Sequence, residues 1–198
     1  MSARKYKYLV GVDEAGRGPL CGPVVAAAAV LKRYDSVLLS VVTDSKKLSE
    51  KKRLNLVPFI KEKCYFAYGS VSAQQIDEIN IYQAAQLAFK RALDRLFAQC
   101  SIDPEQALVI VDGNAFLHKE YDHKCVIKGD LKVPIVSAAS ILAKVRRDTW
   151  MGRYDRLYPQ YGIAKHKGYP TKAHREKIKE FGPAPIYRRS FKLLQGGI

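Results

Sequence analysis

The chain lacks any long apolar run. Nothing in its 198 residues approaches the roughly 20 consecutive apolar positions that a bilayer-crossing helix needs. The opening MSARKYKYLVGVD is basic but holds only five apolar residues in a row before acids and glycines follow, so no signal peptide is expected. Cysteine is sparse and scattered: Cys21, Cys64, Cys100 and Cys125 form no CxxC pair. That argues against a disulfide framework and a cysteine zinc site, and fits a reducing, cytoplasmic location. Acids are outnumbered, with 19 Asp and Glu against 34 Lys and Arg, a net charge of +15. Such an excess attracts polyanions. A basic soluble protein or a ribosome-associated one would show the same excess, so charge alone says nothing about chemistry. There are no internal repeats and no low-complexity linker. A hydrophobic content of 47% excludes a disordered chain, and the length suits one domain with a sizeable core.

The stretch around which the chain is organised is Val10 to Pro23, VGVDEAGRGPLCGP. An apolar strand, Lys5 to Val12, ends in two adjacent carboxylates, Asp13 and Glu14. A turn with Gly16, Gly18 and Gly22 follows, and apolar sequence resumes at Val24. Adjacent strand residues point to opposite faces, so the two acids can share a site only near a strand end or a bulge. Glycine permits positive φ and close approach of a ligand to the backbone. Arg17 supplies a fixed charge suited to phosphate. The same residues could equally form a hairpin whose acids face water. A nucleotide-binding loop is a weaker reading, because GRGPLCG lacks the Gly-Lys-Ser/Thr ending of a P-loop.

Further along, Val24 to Leu31 predicts a strand despite its four alanines, and Ser49 is an N-cap for a helix that Pro58 should kink or break. Tyr65 to Val71 alternates as a third strand. Helices are expected over Ala73 to Ile79 and Ile81 to Cys100, and Asp103-Pro104 ends the second. Ala107 to Val111 has the continuous apolar character of a strand buried on both faces, and it ends in Asp112. A short strand, His123 to Ile127, precedes Lys128-Gly129-Asp130. Helices over Ser137 to about Tyr158 and from Thr171 to Phe181 complete the chain. The alternation implies an α/β protein, a mixed sheet flanked by helices.

Asp13, Glu14, Asp112 and Asp130 thus stand at strand ends or turns. Clustered there, four carboxylates would repel one another, and a hard divalent ion would relieve the repulsion; all-oxygen donors favour Mg²⁺ or Mn²⁺ over zinc. Two such ions about 4 Å apart can activate a water and stabilise a leaving oxygen in phosphodiester hydrolysis. Taken singly, Asp112 in DGN and Asp130 in KGD also read as ordinary turn residues. Asp148, a fifth acid, falls in a helical Arg-Arg-Asp run and is expected on a solvated face. HKGYPT, His166 to Thr171, combines basic residues with one aromatic, which suits phosphate contact and stacking or an ordinary loop.

The ordered strings DEAGRGP, VDG at Asp112, KGD at Asp130, VSAASILAKVRRD, HKGYPT and PAPIYRRSF resemble the type 2 ribonuclease H family, known in bacteria as the ribonucleases HII. The resemblance runs from Val10 to Phe191. It implies the ribonuclease H-like fold, with a small C-terminal helical part from about residue 160 that contributes to substrate binding within a single domain spanning 1–198. It implies that Asp13, Glu14, Asp112 and Asp130 bind two ions of Mg²⁺ or Mn²⁺ and are the catalytic set. It implies that Gly16, Arg17 and Gly18, with Tyr169, read the ribose 2′-hydroxyl, the group that separates RNA from DNA. The substrates implied are RNA–DNA hybrids and duplex DNA with embedded ribonucleotides, cut by a monomer with no membrane association. Lys46, Lys47, Lys144, Arg146, Lys165 and Lys167 are candidates for phosphate contact. The chain departs from the family at Cys21, where alanine is common, and at Tyr187, where histidine is common. A non-catalytic basic nucleic-acid-binding protein is the rival class, and metal-dependent turnover separates the two. The closing residues, Lys192 to Ile198, carry no recognisable sliding-clamp motif.

Overall fold

A computed structural model describes residues 6–42, 48–114 and 120–194. Lys46 and Lys47, two candidates for phosphate contact, lie outside the described residues. The strands are β1 (Tyr8–Ala15), β2 (Val24–Leu31), β3 (Cys64–Val71), β4 (Ala107–Asp112) and β5 (His123–Val126). They form one sheet in the order β3-β2-β1-β4-β5. β1 is antiparallel to β2 and parallel to β4, so the sheet is mixed, as the alternation of elements implied.

The helices are α1 (Ser36–Val41), α2 (Glu50–Lys63), α3 (Ala73–Cys100), α4 (Gly129–Lys132), α5 (Pro134–Leu157), α6 (Ile163–His166) and α7 (Lys172–Phe181). The two-residue strand period divides the core into two layers. Val10, Val12, Val24, Ala26, Ala28 and Val30 pack with Phe89, Leu93 and Leu96 of α3. Ala27 and Ala29 face the other way, onto Ile135, Ala138, Ala139 and Leu142 of α5. Alanine is a poor strand former, but here it lets both helices lie close to the sheet. The approach is tightest at Gly11, where a Cβ would stand 2.4 Å from the backbone of Ile135. The start of α5 therefore rests directly on β1, three residues before Glu14.

Several boundaries follow from local chemistry. Ser49 accepts from Lys52 N and caps α2. α2 continues through Pro58 without the expected break. The carbonyl that loses its partner belongs to Leu54, which is half exposed on this outer helix, so solvent can take the bond. The two helices expected over 73–100 form one run bent at Asn80, where φ is 65° and the side-chain oxygen caps the second part through Tyr82 N and Gln83 N. α5 starts three residues earlier than the sequence suggests, with Pro134 in its first turn, a position that needs no N–H. All four cysteines are free thiols. Among the described residues no helix is long and apolar enough to cross a membrane.

Candidate active site at the end of the central strands

The register Val12↔Val111 sets Asp13 of β1 beside Asp112 of β4, where the two parallel strands end. Ligands gather beyond such carboxyl ends in α/β sheets. Asp112 faces the α5 side, since Val109 and Val111 pack on the α3 side. Asp130 follows from α4, a single helical turn entered through Lys128 at φ 57°. Its backbone N–H donates to Asp112 Oδ1 at 3.3 Å, and Ser137 of α5 donates to its carbonyl. Asp130 is 0% exposed, so the Gly-Asp turn expected from sequence is a buried one-turn helix. Among the described residues, Asp13, Asp112 and Asp130 each bring a carboxylate oxygen within 4.8 Å of the others.

Glu14 stands apart from that trio for a simple reason: the pleat sends it to the face opposite Asp13. It still lines the same cleft, and Arg17 holds it at 3.4 Å. Burial pushes the Asp13 carboxyl well above the usual carboxylate range. The Glu14 and Asp112 charges add to this, and a hydrogen bond from Ser140 opposes it. Burial also raises Glu14, against the nearby Arg17 guanidinium. Gathering these charges is costly unless a cation joins them. An all-carboxylate donor set fits a hard divalent ion such as Mg²⁺ or Mn²⁺.

The cleft, about 420 Å³, joins this acidic end to the glycine turn. Its walls include Asp13, Glu14, Asp112, Gly16, Arg17, Gly18, Lys144 and Tyr169. The Tyr169 ring lies over Gly18, within 3.7 Å of where a Cβ would sit, and the residue is 45% exposed. Arg146, Lys165 and Lys167 are not in the lining. Arg146 lies instead over the rings of Tyr68 and Trp150, and Lys167 Nζ meets Glu50 at 3.3 Å. Lys165 is exposed. Asp148 corrects the expectation of a solvated face: it is only 9% exposed and bound to Lys144 at 2.8 Å, because α5 is buried on this side.

Sequence reasoning missed four contributors. Arg53 and Ser140 line the cleft; Arg53 belongs to no distinctive string, and Ser140 lies within VSAASILAKVRRD but is one small polar residue among several there. Arg147 and Arg188 are fully buried beneath it. Arg147 donates to the carbonyls of Pro23, Cys21 and Lys167, joining the glycine turn to the HKGYPT loop. It lies so close to Gly16, at φ +102°, that a Cβ there would fall 2.2 Å from its Nε. Any side chain at position 16 would therefore displace the guanidinium as well as strain the backbone.

The two departures noted at Cys21 and Tyr187 form a backbone bridge with each other. Tyr187 also reaches His174, whose ring spans Tyr169 O (Nδ1, 2.8 Å) and the Tyr187 hydroxyl (Nε2, 2.8 Å). A carbonyl only accepts, so Nδ1 carries the proton and Nε2 accepts from Tyr187. Burial lowers His174 from 6.5 to about 4. The folded state thus resists a proton that the unfolded chain takes up. The stability this confers is complete above pH 6.5 and is lost as the pH falls toward 4. The thermal midpoint is expected to decline over that window, and His174→Gln should remove this part of the slope. An unaltered slope in the variant would show that His174 does not carry it.

The ribonuclease HII family profile matches residues 10–194. A ribonuclease HII of Vibrio parahaemolyticus is 50% identical over 188 residues, covering 94% of this chain and 85% of that protein. One from Francisella tularensis subsp. novicida is 47% identical and covers 94% of this chain and 97% of its own length. The crystal structure of ribonuclease H2 from Pyrococcus horikoshii superposes with a TM-score of 0.76 at 30% identity, covering 94% of both chains. With the mixed sheet, the carboxylates at its strand ends and the motifs running the length of the chain, these likenesses lead to one conclusion: the chain belongs to the ribonuclease HII family and is a ribonuclease H.

Proposed function

We propose that the enzyme hydrolyses the RNA strand of RNA–DNA hybrids and nicks duplex DNA on the 5′ side of an embedded ribonucleotide, leaving 3′-hydroxyl and 5′-phosphate ends. Removal of RNA primers and of misincorporated ribonucleotides would follow from that activity. The observation that carries this reading is the continuity of one cleft from the acidic end, with Asp13, Glu14 and Asp112, to the turn of Gly16, Arg17 and Gly18 under Tyr169. Chemistry on phosphate and recognition of the adjoining sugar can then occur on one nucleotide.

In this reading Asp13, Glu14, Asp112 and Asp130 hold two divalent ions. The ions, when bound, supply an activated water and charge stabilisation at the scissile phosphate. The chain's own residues orient the substrate. Ser140 and Lys144 steady the acidic wall, the second through its contact with Asp148. Tyr169 offers its ring to a sugar and its hydroxyl to the 2′-OH, next to the backbone of Gly16, Arg17 and Gly18. The net charge of +15 gives affinity for any duplex through counterion release, so discrimination must come from these neutral contacts. Free thiols support work in a reducing cytoplasm, and the resemblance implies a monomer.

Incubation with a duplex carrying one ribonucleotide is the direct test. Cleavage is expected with Mg²⁺ or Mn²⁺, to vanish in excess chelator and to return when ions are restored. Full activity in chelator would end the reading, and so would tight binding without turnover under every ion.

A further inference from the structure

Arg188 has an unusual environment. Its guanidinium is fully buried, and burial, with the neighbouring Arg147 charge second, lowers it to about 9. Its hydrogen bonds go to carbonyl oxygens of the glycine turn: Nε to Gly22 (3.0 Å), Nη1 to Arg17 (2.9 Å), and Nη2 to Gly16 (2.6 Å) and Gly22 (2.9 Å). Two buried like charges side by side are costly to keep. The fork shape of the guanidinium shows what it accomplishes, since one rigid plane fixes three peptide groups at once.

The peptide units are trans and planar, so each C=O points opposite to the N–H of the next residue. Turning the carbonyls of Gly16 and Arg17 toward Arg188 therefore turns the N–H groups of Arg17 and Gly18 away from it. Those two residues line the cleft. Two successive donors presented this way form a concavity suited to an electronegative oxygen.

Arg188 is itself held from outside. Gly22 N donates to Ile186 O and Arg188 N to Leu20 O, fastening its segment alongside the glycine turn. Beyond it, Asp77 of α3 accepts from Arg189 N (2.8 Å), Ser190 N (2.9 Å) and Ser190 Oγ (2.6 Å). Gln74 adds a bond to Pro185 O at 2.7 Å. A chain of contacts thus runs from α3 through residues 188–190 to the backbone beneath Tyr169.

We propose that Arg188, anchored by Asp77, is a positioning residue that aims the Arg17 and Gly18 amides into the cleft and so sets the preference of the enzyme for a ribonucleotide. The use of those amides on a ribonucleotide rests on the function proposed above; the orientation itself does not.

Arg188→Lys keeps the charge but loses the fork. Its folding is checked by thermal denaturation and its ion binding by the rise in midpoint on adding Mg²⁺. The Arg17 and Gly18 amide ¹H–¹⁵N signals are then compared with the parent, without substrate. Cleavage is measured on a duplex with one ribonucleotide and on a long RNA–DNA hybrid, and binding on an all-DNA duplex. The expected result is a folded variant with parent-like ion response, displaced amide signals, parent-like binding of the all-DNA duplex, and cleavage at the single ribonucleotide reduced about tenfold or more, as loss of well-aimed hydrogen bonds predicts. Asp77→Ala should act in the same direction with about a threefold reduction, the size of one partial loss, and it decides the matter should Arg188→Lys fail to fold. Unmoved amide signals in a folded variant overturn the proposal whatever the rates do, and so does parent-like cleavage at the single ribonucleotide where the parent cuts it. If the parent cuts only the long hybrid, the functional reading fails at single ribonucleotides, and the amide signals and the cut positions on the hybrid decide the role of Arg188.

Discussion

Replacing Asp112 with asparagine is expected to lower the cleavage rate about 10²- to 10³-fold, the scale on which transition-state charge stabilisation is lost when one electrostatic partner is removed. The register Val12↔Val111 sets this carboxylate beside Asp13, and its Oδ1 also accepts from Asp130 N. The amide keeps the shape and loses the charge. Substrate affinity should hold or increase, because one negative charge near phosphate is gone, so the loss should fall on kcat rather than KM. A second effect runs the other way. Asp112 is among the charges that raise the buried Asp13 carboxyl in the absence of ions. Relieving that repulsion should stabilise the ion-free protein and raise its thermal midpoint. Near-parent turnover, measured at saturating Mg²⁺ or Mn²⁺, would reduce Asp112 to a turn former.

Removing the ring of Tyr169 is expected to separate recognition from affinity. Tyr169→Ala should cut the rate at a single ribonucleotide roughly 10- to 10²-fold, as expected when a closely held polar partner is lost. The salt dependence of duplex binding counts neutralised phosphates, so its slope should stay at the parent value. The fold predicts little cost in stability, because the side chain is 45% exposed and it is its backbone carbonyl that His174 holds. The informative comparison sets an all-DNA duplex beside one containing a single ribonucleotide. If the variant distinguishes them as sharply as the parent does, the tyrosine does not read the junction.

By itself the sequence was enough to place the strands and most helices, because hydrophobic period and cap chemistry are local. β2 falls on Val24–Leu31 as read, Ser49 and Thr171 cap their helices, and the bend at Asn80 lies between the two helices expected there. The motifs DEAGRGP, VDG and HKGYPT also marked the residues that line the cleft, since each carries its acids, glycines or tyrosine in a short contiguous string. Long-range placement was not legible. That Asp13, rather than Glu14, joins Asp112 and Asp130 depends on which strand face meets α5. Burial of Asp148 likewise depends on which side of that helix is covered, where a charged string read locally suggests solvent. Lys167 and Arg146 were drawn away from the cleft by partners on α2, β3 and α5. Arg147 and Arg188 lay hidden among 34 basic residues for the same reason. A guanidinium becomes a backbone clamp only when tertiary packing removes water from it and brings carbonyl oxygens from distant segments within reach, and Arg188 finds Gly16 172 residues away along the chain.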